Sequence, residues 1–498
     1  MDSRMQYFLV QMWNVFWYTS VVFIVLLIVK YFWQRRKLYW LGYCLDGPPT
    51  VFLLGNGLIF NCKEEVLFQK MSNIVDTYSS PARFWLGPKL VIVLKTASDI
   101  EKVLTSPYAN DKDDIYRFLK VFNGLSLFTT NGTMWKRHRR HVTPFLGRKY
   151  MDSYLERMKK NCIKLVEKLD NLVDKDDFDI DHSLRRCYND IVTETLTGHN
   201  PAAQEGYLDY FIALLHEGYV LVHARMMKIW LHPDFLFDRS SNGHRQKFIS
   251  NEVREFFKKS IHANKENAKR DNEFVSIYEN LLQAQEKNNV IYKNDNLIDH
   301  LVTLFSASED TTTTICSFLL VLLGMYPDVQ NRVVQEIKDV IDEDIENLTF
   351  KQLTELKYLD MCVKEVIRLF PIGPYILRKL SADVNLGKVV LPKDTTVVLS
   401  FYSVQRSKEH WQKPNEFYPE HFLPEYASLR HPYAFLPFSA GPRSCPGQIF
   451  AYAAIKIVTV MVLQSFIITS KGKLKDIKVK GDISIRPIDG FNLKLRRR

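Results

Sequence analysis

The sequence predicts a mainly α protein with a minor β part, built as one large domain behind an N-terminal transmembrane helix. Three observations carry this. Residues 5–29 contain no charged side chain. From about residue 97 to 330 the apolar residues recur at helical spacing, with no long Gly/Ser-rich or Pro-rich linker between them. Strand-like runs are confined to short patches near residues 82–94 and 377–399.

Each segment follows in order. The strongest apolar run, residues 15–29, lies inside a stretch long enough for the roughly 20 apolar residues that span a bilayer core. Lys30, Arg35, Arg36 and Lys37 follow it at once, which places the rest of the chain on the cytosolic side. No small-residue cleavage site follows Val29, so a retained anchor is expected rather than a signal peptide. This gives an anchor and basic stop over 1–37, then a Pro-rich hinge over 38–50 centred on Gly47-Pro48-Pro49. The globular domain would occupy 51–498, opening on Val51-Phe52-Leu53-Leu54-Gly55. Residues 265–296 are largely polar and read as a solvated helix face and loop. Residues 297–326 form a long apolar helical run broken only around Asp310, with Pro327 as its stop. An aromatic and Pro-rich irregular stretch spans about 405–440. A last helix is expected over 446–466, followed by short strands.

Composition excludes several classes. At 498 residues, length alone would suggest several domains, but the absence of linkers favours one. Hydrophobic residues at 46% and charged residues at 25% exclude a mainly disordered, collagen-like or multi-span membrane chain. Seven cysteines exclude a disulfide-dense secreted scaffold, and the odd count leaves at least one thiol unpaired. Lys and Arg number 67 against 56 Asp and Glu, a net charge of +11 that suits an anionic membrane or an acidic partner. No recognised nucleic-acid module or aromatic-basic platform is present, so nucleic-acid binding is not expected.

The chemistry concentrates in Phe438-Ser439-Ala440-Gly441-Pro442-Arg443-Ser444-Cys445-Pro446-Gly447, which fits F-x-x-G-x-R-x-C-x-G at all five fixed positions. Cys445 stands just before a predicted helix, whose free N–H groups would stabilise a thiolate and lower the thiol pKa. Gly441 and Gly447 permit a tight turn and close approach of a flat group. Arg443 offers donors to a carboxylate, and Phe438 can pack beside the sulfur and keep water away. A lone cysteine in a Gly/Pro loop is usually structural; five matched positions reverse that reading.

On these residues the chain resembles the cytochromes P450, the haem-thiolate monooxygenases. The resemblance extends from the anchor to about residue 490 and rests on further motifs in the family's order. Glu365 and Arg368 match E-x-x-R and share a helix face as a charged clasp. Trp135 and Arg139 match W-x-x-x-R. These two, with Arg378 and Arg443, are implied to meet the haem propionates. Asp310 and Thr311 occupy the acid–alcohol positions of A/G-G-x-D/E-T-T, which deliver protons to iron-bound dioxygen in that family. Cys445 is implied as the axial ligand of the iron, with haem b held non-covalently apart from that bond. A thiolate ligand favours O–O cleavage.

Three departures qualify the match. Ser308 replaces the usual glycine and adds a hydroxyl beside the oxygen groove. The chain resembles family 4, and best its insect-type branch, but Ala307 stands where that family often carries a Glu that bonds haem, so no covalent link is expected. His421 replaces the arginine usual after Pro-Glu, which predicts a weaker or pH-sensitive clasp around Glu365.

The resemblance implies a fold and an activity. The fold would be that of the cytochromes P450. The substrate pocket would draw on residues 119–128, 302–307 and 374–377, which are largely apolar. A lipophilic substrate is expected: a fatty acid, a hormone-like terpenoid or a xenobiotic. One oxygen atom would be inserted, with electrons from NADPH through NADPH-cytochrome P450 reductase and cytochrome b5 as a second candidate donor. No nucleotide-binding Gly-rich loop is present in the chain itself. Lys136, Arg137, Arg140, Arg148 and Lys149 would form a basic face for an acidic reductase. Location would be the endoplasmic reticulum membrane. The competing readings are a haem-thiolate isomerase or dehydratase, against which Asp310 and Thr311 argue, and a non-catalytic haem or ligand carrier.

Overall fold

A 32-residue helix, Asn294–Met325, organises the domain. At 1.5 Å per residue it spans about 48 Å. Its apolar faces are buried by helices Ile180–Thr197, Gln448–Ser465 and Lys357–Leu369, which pack around it to form the main core. Residues 301–305 and 312–323 of this central helix are buried. Between them Ala307 is exposed and Ser306, Ser308 and Thr311 are half-buried, so one stretch of a core helix opens onto accessible space. The helix ends at Met325, and Pro327 opens the next helix, Pro327–Val340, at a position where its missing N–H costs nothing.

This computed structural model describes residues 3–51, 54–267, 274–287, 294–341, 345–481 and 483–498. Phe52 and Leu53, and residues 268–273 and 288–293 of the polar stretch, lie outside the described residues.

The β part is a five-stranded sheet in the order 82–86, 89–94, 396–400, 375–379, 111–112. It covers the two patches that the sequence marked and adds the two-residue strand Asp111–Lys112. The register sets Lys112 directly opposite Arg378. Smaller sheets join 178–179, 492–497 and 466–469, and 479–481 with 485–487.

The candidate anchor is the helix Ser3–Gln34, whose segment Tyr7–Gln34 has a mean hydropathy of 2.1 and no buried share, long and apolar enough to cross a membrane. Gln448–Ser465 is also long and apolar, but it is packed in the core. The expected hinge over 38–50 is only partly a hinge. Arg36–Cys44 is helical, and its Tyr39 ring stacks on Trp85 of the first strand at 5.2 Å. Only residues 45–50 lack regular structure. The two prolines set the end of this segment, while the apolar residues before them find a sheet to pack on.

Lys456 ties the last helix to the start of the clasp helix. Its buried ammonium donates to the Leu353 and Leu356 carbonyls and pairs with Asp360 at 3.0 Å. This fixes the helix whose N-terminus carries the cysteine loop.

Candidate functional site

The cysteine loop closes on itself before the last helix begins. The Cys445 N–H donates to the Phe438 carbonyl at 2.9 Å and the Ser444 N–H to Gly441 at 3.0 Å. Ser439 and Gly441 both adopt positive φ, +59° and +73°. At Gly441 an added Cβ would lie 2.4 Å from the Leu104 carbonyl oxygen, so only glycine fits. Gly447 is different. It caps the last helix with φ −86°, and a Cβ there would meet Cys445 Sγ at an ordinary 3.9 Å. Its backbone conformation makes no demand for glycine. The Phe438 ring lies against Tyr452, 5.4 Å between centroids.

Cys445 keeps accessible surface although protein crowds closely around it. The expected lowering of its thiol pKa is overturned. Burial pushes the thiol above its ordinary value, outweighing the Gly447 N–H and the charges of Arg139 and Lys112. Coordination to a metal would reverse this, because a coordinating thiol is deprotonated outright.

Four basic side chains gather at this loop, of which Arg139 and Lys112 act directly on the thiol. Arg139 donates to the Ser444 carbonyl at 2.7 Å. Arg443 donates to the carbonyls of Asn110 and Thr130 and to Asn131 Oδ1, and stacks on Trp135 with its Cζ 3.9 Å from the ring centroid. Trp135 therefore acts on the site through Arg443. Arg378 is 3% exposed and bonds to the Leu377 carbonyl. Lys112, which the sequence did not single out, faces Arg378 across the strand pair, and burial with the charges of Arg378 and Arg443 pushes its ammonium far down. Like charges opposite each other in a sheet destabilise it unless an anion lies between them. Among the described residues no ion pair includes Lys112, Arg139, Arg378 or Arg443, and Arg443 Nη1 is buried without a partner. A thiolate ligand beside a pair of carboxylates satisfies this donor set, and haem carries both an iron and two propionates. The residues present fit that group.

On the central helix, Thr311 Oγ1 donates back to the Ala307 carbonyl at 2.7 Å, as a mid-helix threonine does. Asp310 faces away from the accessible stretch. It accepts from Arg486, and Arg185 reaches it at 3.5 Å. Burial raises the Asp310 carboxyl, but the charges of Arg486 and Arg185 outweigh it and hold the group ionised. Neither arginine was visible as a partner in the sequence, being 176 and 125 residues away.

The clasp is complete. Arg368 donates to both Glu365 oxygens at 2.7 Å, with both side chains fully buried. It also donates to the carbonyls of Gln405, Pro414 and Glu416. His421 Nδ1 lies 3.1 Å from Glu365, and its Nε2 accepts the Lys413 N–H at 3.4 Å. A ring that donates from Nδ1 and accepts at Nε2 satisfies both contacts. Arg430 adds a second guanidinium, donating to the His421 carbonyl region and lying 3.7 Å over Trp411, which Arg368 covers at 4.9 Å. Part of the charge lost with the missing arginine is thus restored from another segment.

Lys136, Arg137, Arg140, Arg148 and Lys149 are all exposed. Tyr116 bridges two of the segments expected to form the pocket: its hydroxyl accepts the Leu377 N–H at 3.2 Å and its ring meets Phe128 edge-on at 5.7 Å.

Comparison with known proteins agrees with this geometry. The family model for Cytochrome P450 matches residues 45–495. Cytochrome P450 4V2 of Homo sapiens is 30% identical over 471 residues, covering 90% of each chain. Cytochrome P450 4V2 of Mus musculus is 29% identical over 462 residues, covering 90% of this chain and 88% of its own. Cytochrome P450 4c3 of Drosophila melanogaster is 29% identical over 501 residues, covering 95% of this chain and 92% of its own. A cysteine loop lined by unpaired cations, a buried Glu–Arg clasp and a match across the whole globular part agree: the chain belongs to the cytochrome P450 family, haem-thiolate enzymes that incorporate an atom of molecular oxygen.

Proposed function

We propose that the protein is a membrane-anchored monooxygenase that inserts one oxygen atom into a lipophilic substrate, using electrons from NADPH delivered by NADPH-cytochrome P450 reductase. The observation that carries this is the accessible Cys445 beside a group of four basic side chains that form no ion pair among the described residues. Cys445 would hold the iron of haem b. Arg139, Arg378, Arg443 and Lys112 would hold its propionates, with Trp135 keeping Arg443 in plane. Haem with a thiolate ligand supplies oxygen activation and O–O cleavage.

The other residues bind, orient and move protons. Asp310 and Thr311 form the acid–alcohol pair, Thr311 presenting its hydroxyl on the open stretch of the central helix and Asp310 standing behind it. Ala307 lies exposed on the same stretch and has no group that could bond haem, so haem is held non-covalently. Ser308 adds a hydroxyl beside it. The apolar segments 119–128, 302–307 and 374–377 favour a fatty acid, a hormone-like terpenoid or a xenobiotic. The exposed basic residues after Lys136 suit an acidic reductase, and cytochrome b5 by the same charge complementarity. The helix Tyr7–Gln34 and the basic cluster behind it suit the endoplasmic reticulum membrane, with the haem domain cytosolic.

The test is reconstitution with the reductase, NADPH, isotopically labelled dioxygen and a panel of these three lipid classes. Product carrying one labelled oxygen, formed only with NADPH and reductase, is expected. Turnover of peroxides alone would establish an isomerase or dehydratase instead. Ligand binding without oxygen consumption would establish a carrier.

A further inference from the structure

Behind the accessible stretch of the central helix lies a buried charge cluster that the acid–alcohol pair alone does not require. Asp181 and Arg185 come from helix Ile180–Thr197, Glu309 and Asp310 from the central helix, and Arg486 from the strand Ile485–Pro487. Arg185 holds Asp181 with Nε and Nη2 at 3.0 and 3.1 Å. Its remaining nitrogen, Nη1, serves both central-helix acids: Glu309 Oε1 at 2.6 Å and Asp310 Oδ1 at 3.5 Å. Arg486 reaches Asp310 and lies 3.8 Å from Asp181.

Among the described residues, three carboxyls against two guanidiniums leave one negative charge in excess, in a place where Glu309 is 1% and Asp310 3% exposed. An uncompensated buried carboxylate takes a proton instead. No other described group facing the cluster supplies a compensating cation: Asn189 donates to Glu309 Oε1 at 3.4 Å, Ser484 and Tyr219 are neutral, and Asp179, beside Asp181 and Arg185, is a further carboxyl that burial pushes up. His216 acts on Asp310 from helix Asp209–Met227 but is exposed, where water screens it. Asp310 has two arginines and Asp181 has a bidentate one. Glu309 shares a single nitrogen, and both bonds given to it fall on Oε1. Burial and the adjacent Asp310 charge push the Glu309 carboxyl up, with Arg185 opposing.

We propose that Glu309 is a proton store for the Asp310–Thr311 pair, holding one proton in the resting protein and passing it to Asp310 when that residue's own carboxyl is required to donate. It rests on the monooxygenase reading of that pair. In the transfer the O–H bond on Glu309 breaks and one forms on Asp310. The negative charge moves from Asp310 to Glu309, both beside Arg185 Nη1, so the cluster's net charge is unchanged. Glu309 then regains a proton from water. Glu309 acts through Asp310 and is a positioning residue, not one that touches substrate.

The experiment is infrared spectroscopy of the full-length protein as a function of pH, with Glu309→Gln, Glu309→Asp and Asp310→Asn beside the wild type. A protonated buried carboxyl band is expected in the wild type that disappears as pH rises above the ordinary glutamate range. Glu309→Gln removes it, Glu309→Asp shifts it, and a band unaltered in both overturns the proposal. With reductase and NADPH, Glu309→Gln is expected to lower product formed per NADPH about tenfold, with a larger solvent isotope effect and an unchanged carbon-monoxide spectrum. Unchanged coupling and isotope effect also overturn it. If Glu309→Gln does not fold, the shift in Glu309→Asp decides. If the thiolate-type spectrum is missing from the wild type, the monooxygenase reading has failed, and the infrared result still decides where the proton sits.

Discussion

Cys445→Ala is expected to reduce NADPH-driven product formation to the level of the reductase alone while leaving the fold in place. The two effects separate because the loop does not depend on the thiol. Its closing bond runs from the Cys445 backbone N–H to the Phe438 carbonyl, and alanine keeps it. Positive φ at Ser439 and Gly441 is equally untouched. A change of this kind costs little in stability, within about 1 kcal/mol. The four cations remain, so haem uptake is weakened rather than forbidden. The check is parallel measurement of turnover and of the urea midpoint. Turnover retained in Cys445→Ala would exclude the cysteine as ligand, whatever the stability shows.

Glu365→Ala is expected to be the most damaging single change to folding. It strands the Arg368 guanidinium, fully buried, without its anion. Breaking a buried pair from one side costs about 3–5 kcal/mol. Against the roughly 5–15 kcal/mol that holds a typical domain, that is about a fifth of the margin or more. Arg368→Ala should match it, because it leaves Glu365 unpaired and removes the donor to three carbonyls that fix the irregular stretch 405–416. The measurement is the urea midpoint with haem loading held constant. The pH dependence has a definite sign. Burial pushes the Glu365 carboxyl up, but the bonds from Arg368 and His421 outweigh it and hold the carboxyl below its ordinary 4.5. Its contribution is therefore fully present above the unfolded value and lost as pH falls through the lower folded value. The gap between wild type and Glu365→Gln should be flat from neutral pH down to about 4.5 and shrink below it. A gap that closes already near neutral pH would contradict this assignment.

What was legible in the sequence was local. The loop around Cys445, the Glu365–Arg368 spacing, the Trp135–Arg139 spacing and the apolar period of the central helix all act over a few residues. Each is found as an element or contact in the structure. What was not legible depends on the chain returning to itself. Lys112 joins the site only because a two-residue strand pairs with 375–379. Arg185 and Arg486 reach Asp310 from opposite ends of the chain. The thiol's direction was misjudged for the same reason, since a helix start is visible in sequence and burial is not. Over 38–44, the first half of the expected hinge, packing on Trp85 made a helix instead.

The most direct measurement of Cys445 as the iron ligand is the absorption spectrum of the reduced, carbon-monoxide-bound protein. A thiolate-type Soret band in the wild type, absent from Cys445→Ala, is the predicted result. A band of the imidazole-ligated type in freshly prepared wild type, or a protein that takes up no haem, would contradict it.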